Sequence, residues 1–74
     1  MRKALLWISK EFYEAQQKHP EFANDVHEGL NLITEEYLEL VRAINDKEGI
    51  PRIREEAAQM GVTILRFLEM LPDE

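Results

Sequence analysis

The sequence predicts an all-α fold of three helices in one domain, residues 1–74, with an antiparallel helical hairpin at its centre. Two observations carry this. Apolar side chains recur at spacings of three and four along Arg2 to Lys18, Asn24 to Asp46 and Pro51 to Leu71, and breakers at His19-Pro20 and Gly49-Ile50-Pro51 fall between those stretches. Composition agrees: 45% of the residues are hydrophobic, with only three Gly and three Pro, so the chain has enough apolar surface to fold.

In the first stretch Leu5, Ile8, Phe12 and Ala15 form one face, with Trp7 and Tyr13 beside it as core or interface aromatics. This helix either packs on its own hairpin or reaches onto another subunit. The second helix is expected to start at an Asn24 cap, with Asp25 and Glu28 at the positive end of its dipole. Its stripe is Val26, Leu30, Ile33, Tyr37, Leu40, Val41 and Ile44, and Lys47-Glu48-Gly49 ends it. Pro51 suits the opening of the third helix, whose stripe is Ile53, Ala57, Met60, Ile64, Phe67, Leu68 and Leu71, and Pro72 stops it. The short connection makes helices two and three antiparallel neighbours. Gly29 and Gly61 lie inside helices, where they permit close helix approach at a cost in helix propensity.

A domain this short buries only a modest share of its unfolded surface, so a bundle completed by homo-oligomerisation is expected. The formal net charge is −6, from fifteen acids against nine bases that do not cluster, which disfavours a nucleic-acid partner. A phosphorylated substrate stays open if a divalent cation lies between carboxylates and phosphates. The absence of Cys excludes disulfides and thiolate chemistry and suits a cytoplasmic location. Lys10, Glu11 and Glu14 interrupt the apolar run after Arg2 and Lys3, against a signal peptide, and no stretch reaches membrane length. There is no Gly-rich phosphate loop, no Cys or His metal cluster and no Ser-His-Asp arrangement.

The informative residues are carboxylates. At about 100° per residue, Glu36 lies roughly 80° from the centre of its stripe and Glu56 roughly 60° to the same side of its own. In an antiparallel pair these offsets fall on one flank of the hairpin, at similar heights. Glu39 and Gln59 extend the line by one turn each. Converging carboxylates repel, and a hard divalent cation, Mg²⁺ or Mn²⁺, removes that repulsion most simply, with Glu35 or another nearby carboxylate available as a catalytic base. The alternative is a set of solvated helix faces, Glu35, Glu36, Glu39, Glu55 and Glu56 pairing with Arg42, Arg52 and Arg54 along the helices. His27 is expected at the surface and His19 in turn chemistry. Arg66, on the flank of Glu56 and Gln59, is expected to pair with Glu69 or Asp73, with a phosphate contact as the other use.

The run Glu35-Glu36-Tyr37-Leu38-Glu39, followed by Glu56-Ala57-Ala58-Gln59, resembles the EExxE and ExxD pattern of the MazG-like all-α nucleoside triphosphate pyrophosphohydrolases. The wider run from His27-Glu28-Gly29 to Arg66-Phe67 is similar to small uncharacterised phage and bacterial relatives of that group. The resemblance covers about two-thirds of the chain. It implies Mg²⁺ held by Glu36, Glu39 and Glu56, Glu35 as the additional acidic residue, a nucleotide substrate cleaved to monophosphate and pyrophosphate, and a dimer or tetramer. Gln59 stands where the family has Asp; its amide oxygen can ligate Mg²⁺ without charge, so a weaker site is implied. The competing expectation is a non-catalytic helical oligomer or interaction module.

Overall fold

The computed structural model describes residues 1–74 as three helices: α1 (Arg2–Lys18), α2 (Val26–Asn45) and α3 (Ile50–Met70). No helix is long and apolar enough to cross a membrane. The helix boundaries agree with the sequence to within two residues. The cap of α2 does not: Asp25, not Asn24, holds the extended cap conformation, and its Oδ1 accepts from the Glu28 amide at 2.9 Å. Both residue types cap well, so composition alone could not choose between neighbours.

The α2–α3 turn satisfies the end of α2 with two backbone bonds, Glu48 N–H to Ala43 O at 3.0 Å and Lys47 N–H to Ile44 O at 3.2 Å. Lys47 adopts φ 53° to close this motif, a position where Gly is usual. Gly49 follows at φ 98° and lets Ile50 and Pro51 open α3.

α3 lies between the other two helices. Gly29 of α2 meets Phe67 and Met70, so α2 runs antiparallel to α3. Trp7 meets Arg54 and Ile8 meets Gly61, so α1 runs parallel to α3 on its other side. Helix α1 packs on α3 and makes no contact with α2. Of the two roles open to α1, the packed one is observed, and the gap it leaves to α2 becomes a groove.

The core is small. Only five of 74 residues are buried, among them Ala43, Ala58 and Val62, and the largest fully buried side chain is an acid, Glu56. The Cα radius of gyration is 12.8 Å, against about 11 Å for a compact domain of this length. Each expected stripe is therefore split. Ile33, Leu40 and Val41 are half-buried, whereas Leu5, Val26, Leu30, Tyr37, Ile44 and Leu68 remain exposed.

Gly29 and Gly61 share a helical context but differ in surroundings. A Cβ on Gly29 would sit 2.6 Å from Phe67 Cδ1 and 2.8 Å from Cε1, whereas one on Gly61 would meet only the flexible tip of Ile8, at 3.0 Å. Gly29→Ala should therefore destabilise by about 1 kcal/mol, overpacking outweighing the gain in helix propensity. Gly61→Ala should be neutral or stabilising. Urea unfolding of both variants checks this pair, and equal responses would contradict it.

Candidate metal centre

Glu36 and Glu39 stand one turn apart on α2, which brings both side chains to the same edge of the helix. Across from them α3 presents Glu56. One carboxylate oxygen from each of the three lies within 4.8 Å of the others. The flank expected from the helical angles is the flank on which they meet.

Their environments differ. Glu56 is 1% exposed, Glu36 is half-buried and Glu39 is exposed, so the cluster runs from the α2–α3 seam out to solvent. Arg52, one turn before Glu56, reaches its Oε1 with Nη2 at 2.9 Å, and the same guanidinium contacts Glu55 at 2.5 Å and Glu48 at 3.4 Å. The other oxygens are left over: Oε2 of Glu56 and Oε2 of Glu36 are buried without any hydrogen-bond partner. An orphaned buried carboxylate oxygen costs several times what a made hydrogen bond returns, unless a proton or a cation meets it.

The titration behaviour follows from this geometry. Burial pushes the Glu56 carboxyl up to about 7, helped by the adjacent Glu39 carboxylate and the charge of Glu36, against the opposing pull of Arg52. Glu36 is raised by its own burial and then by Glu39 and Glu35. In turn Glu56, more than Glu55 or Glu48, holds Arg52 in its protonated form. One cation therefore serves three acids on α3 and its approach, while Glu36 and Glu39 have no basic partner within ion-pair distance.

This donor set fits a hard divalent cation. Such ions take several oxygen ligands, carboxylates foremost, and commonly keep water in the remaining positions. The two orphaned oxygens supply unsatisfied acceptors, and the exposed side of Glu39 leaves room for water or substrate oxygens. Of the other residues singled out in the sequence, Glu35 is exposed and outside the trio, while Gln59 is half-buried and lines the groove beside Glu36. His27 is exposed on α2, as expected. Arg66 departs from expectation: it pairs with neither Glu69 nor Asp73. Its guanidinium donates to the His19 carbonyl and lies 5.3 Å from the Phe22 ring, tying the α1–α2 link to α3. The link crosses the C-terminal half of α3, which puts these groups nearer than the end of its own helix. Trp7 likewise carries the Arg54 guanidinium over its ring at 5.0 Å.

The gap between α1 and α2 forms a groove of about 800 Å³. Glu36, Gln59 and Thr63 lie along one part of it, and Lys10, Lys18 and Arg66 bring basic groups to its walls, alongside Glu11, Glu14, Glu21 and Glu55. Nothing in the spacing along the chain marks Lys10, Lys18 or Phe22 as groove residues. Their placement depends on α1 standing off α2, which no spacing along a single helix reveals.

The carboxylate trio therefore borders the groove through Glu36, and the groove's walls carry both signs. No family model, curated protein or solved structure matches this chain, so the functional reading rests on the geometry and on the resemblance of its carboxylate motifs.

Proposed function

We propose that the chain binds Mg²⁺ or Mn²⁺ through Glu36, Glu39 and Glu56 and hydrolyses a nucleoside triphosphate to the monophosphate and pyrophosphate, as its likeness to the MazG-like enzymes implies. The observation that carries the metal reading is the pair of buried, partnerless oxygens on Glu36 and Glu56 within a trio of converging carboxylates. The bound ion would supply charge neutralisation and attachment for the phosphate oxygens.

The protein's own groups supply the rest. Glu36 and Glu56 are fixed by the helix seam, so little freedom is lost when they take up a ligand. Glu35, exposed and next to Glu36 in the chain, would accept a proton from an attacking water at its carboxylate, the role its place in the motif suggests. Lys10, Lys18 and Arg66 in the groove offer charge-assisted contacts to the phosphate chain. The nucleotide chemistry rests on the motif resemblance; the groove is compatible with it in size.

The test is pyrophosphate release from nucleoside triphosphates in the presence of Mg²⁺ or Mn²⁺. The rate should fall by about a hundredfold or more in Glu36→Gln and Glu56→Gln, since loss of a metal-centre group costs at least that order. Metal-dependent release that survives both substitutions would refute the assignment.

Two observations favour a second reading, a helical scaffold without chemistry. Arg52 already neutralises one oxygen of Glu56, and Gln59 supplies no charge. Under that reading no nucleotide is hydrolysed even at saturating metal.

A further inference from the structure

Arg54 has no acid of its own. Arg52 engages Glu48, Glu55 and Glu56, whereas the guanidinium two residues on forms no ion pair and no hydrogen bond to a protein group, although Glu55 and Glu56 follow it directly in the chain. Helix geometry explains the difference. The two arginines leave α3 roughly 200° apart, Arg52 toward the carboxylates of the α2–α3 seam and Arg54 toward α1. There Arg54 is half-buried, with its guanidinium 5.0 Å from the Trp7 ring. The ring stabilises the charge but accepts none of the N–H donors along the edge of the guanidinium plane.

Trp7 and Arg54 border a pocket of about 420 Å³ between the N-terminal halves of α1 and α3. Ala4, Ala57 and Ala58 line it with small apolar side chains, and Lys3, which also forms no ion pair, adds a second cation. None of the lining residues is acidic. In a chain of fifteen acids and nine bases that absence is informative, since the α1–α2 groove mixes Glu11, Glu14 and Glu21 with its bases. Two unpaired cations call for an anionic group on the occupant, and the rest of the lining calls for an apolar body. The flat indole and guanidinium favour a planar body, which can stack on either. The volume lies in the lower part of the range of small-molecule sites.

We propose that this pocket binds an aromatic carboxylate, its anionic end against Arg54 and Lys3 and its ring against Trp7 and the alanines. The site is separate from the Glu36, Glu39 and Glu56 cluster, and it depends neither on metal binding nor on hydrolysis of a nucleotide.

Trp7 is the only Trp in the chain, so its indole N–H resonance reports the pocket directly. The test is titration of the ¹⁵N-labelled full chain with 2-naphthoate, in the presence of a chelator so that no metal contributes. The Trp7 resonance should shift saturably. The dissociation constant should rise about tenfold or more in Arg54→Gln, which removes the charge-assisted contact. 2-Naphthalenemethanol, with the same ring and no charge, should bind at least about tenfold more weakly for the same reason. Decanoate, an anion without a ring, should also bind more weakly than 2-naphthoate. Ala57→Leu, which adds volume to the lining, should abolish the shift. A shift that does not saturate would overturn the proposal, as would equal affinity of the wild type and Arg54→Gln, or an alcohol or decanoate that binds as tightly as 2-naphthoate. If either variant proves unfolded, the comparison of the three ligands on the wild type still decides.

Discussion

Glu56→Gln should make the metal-free protein more stable at pH 8 and leave it nearly unchanged at pH 4. Such a gain from altering the largest fully buried side chain runs against the usual effect of core substitutions. The cause is the raised carboxyl. In the unfolded chain Glu56 loses its proton near the ordinary 4.5, whereas in the folded chain it keeps it up to about 7. Between those values the folded state binds more protons than the unfolded one, so stability falls as pH rises through that window and stays low above it. Glu36, raised by burial and by Glu39 and Glu35, adds to the fall in the same direction. Gln removes the buried charge, keeps the volume and can donate an amide N–H to the neighbouring carboxylates. The gain at pH 8 should be on the order of 2 kcal/mol, or roughly 10 °C in midpoint for a domain of this size. Thermal unfolding at fixed protein concentration and two pH values, with a chelator present, measures it. A variant less stable than the wild type at both pH values would mean that the Arg52–Glu56 pair outweighs the burial of charge.

The second large effect is the reverse of the first. With Mn²⁺ present at pH 7.5 the wild type should gain stability by mass action, about 2.7 kcal/mol when free metal is a hundredfold above its dissociation constant. Because the ligands must be deprotonated, affinity should rise with pH up to about 7, where Glu56 titrates. Glu56→Gln, the stabler protein without metal, should gain almost nothing with it, so the order of the two midpoints should narrow or invert. Gln59→Asp should strengthen the wild-type response if Gln59 faces the ion, since a carboxylate replaces an amide oxygen beside Glu36. No effect of Gln59→Asp would assign that side chain to the groove wall alone.

The sequence carried the helices because each is specified locally. Periodicity, Gly49-Ile50-Pro51 and the acidic start of α2 are properties of single stretches, and they placed the boundaries well. It also carried the meeting of Glu36, Glu39 and Glu56, because one antiparallel pairing of two known stripes fixes which flank each residue shares. What it missed depends on packing between helices that are not neighbours in the hairpin. The apolar stripes of α2 and α3 are broader than one partner can cover, so Leu30 and Tyr37 read as core but lie exposed. Arg66 reads as a partner of Glu69 or Asp73, yet the α1–α2 link brings it the His19 carbonyl and the Phe22 ring. Arg52 belongs to both readings of the acidic residues at once. It is the i, i+4 partner expected of a solvated helix face, and it also neutralises one oxygen of a carboxylate whose other oxygen is buried and unpartnered.

Calorimetric titration of Mn²⁺ into the wild type and into Glu56→Gln at pH 7.5 tests the metal centre most directly. The geometry predicts saturable binding to the wild type with release of protons, read from the dependence of the heat on buffer, and affinity at least about tenfold weaker in the variant. Equal binding to both proteins, or none to either, would contradict a metal centre built on Glu36, Glu39 and Glu56.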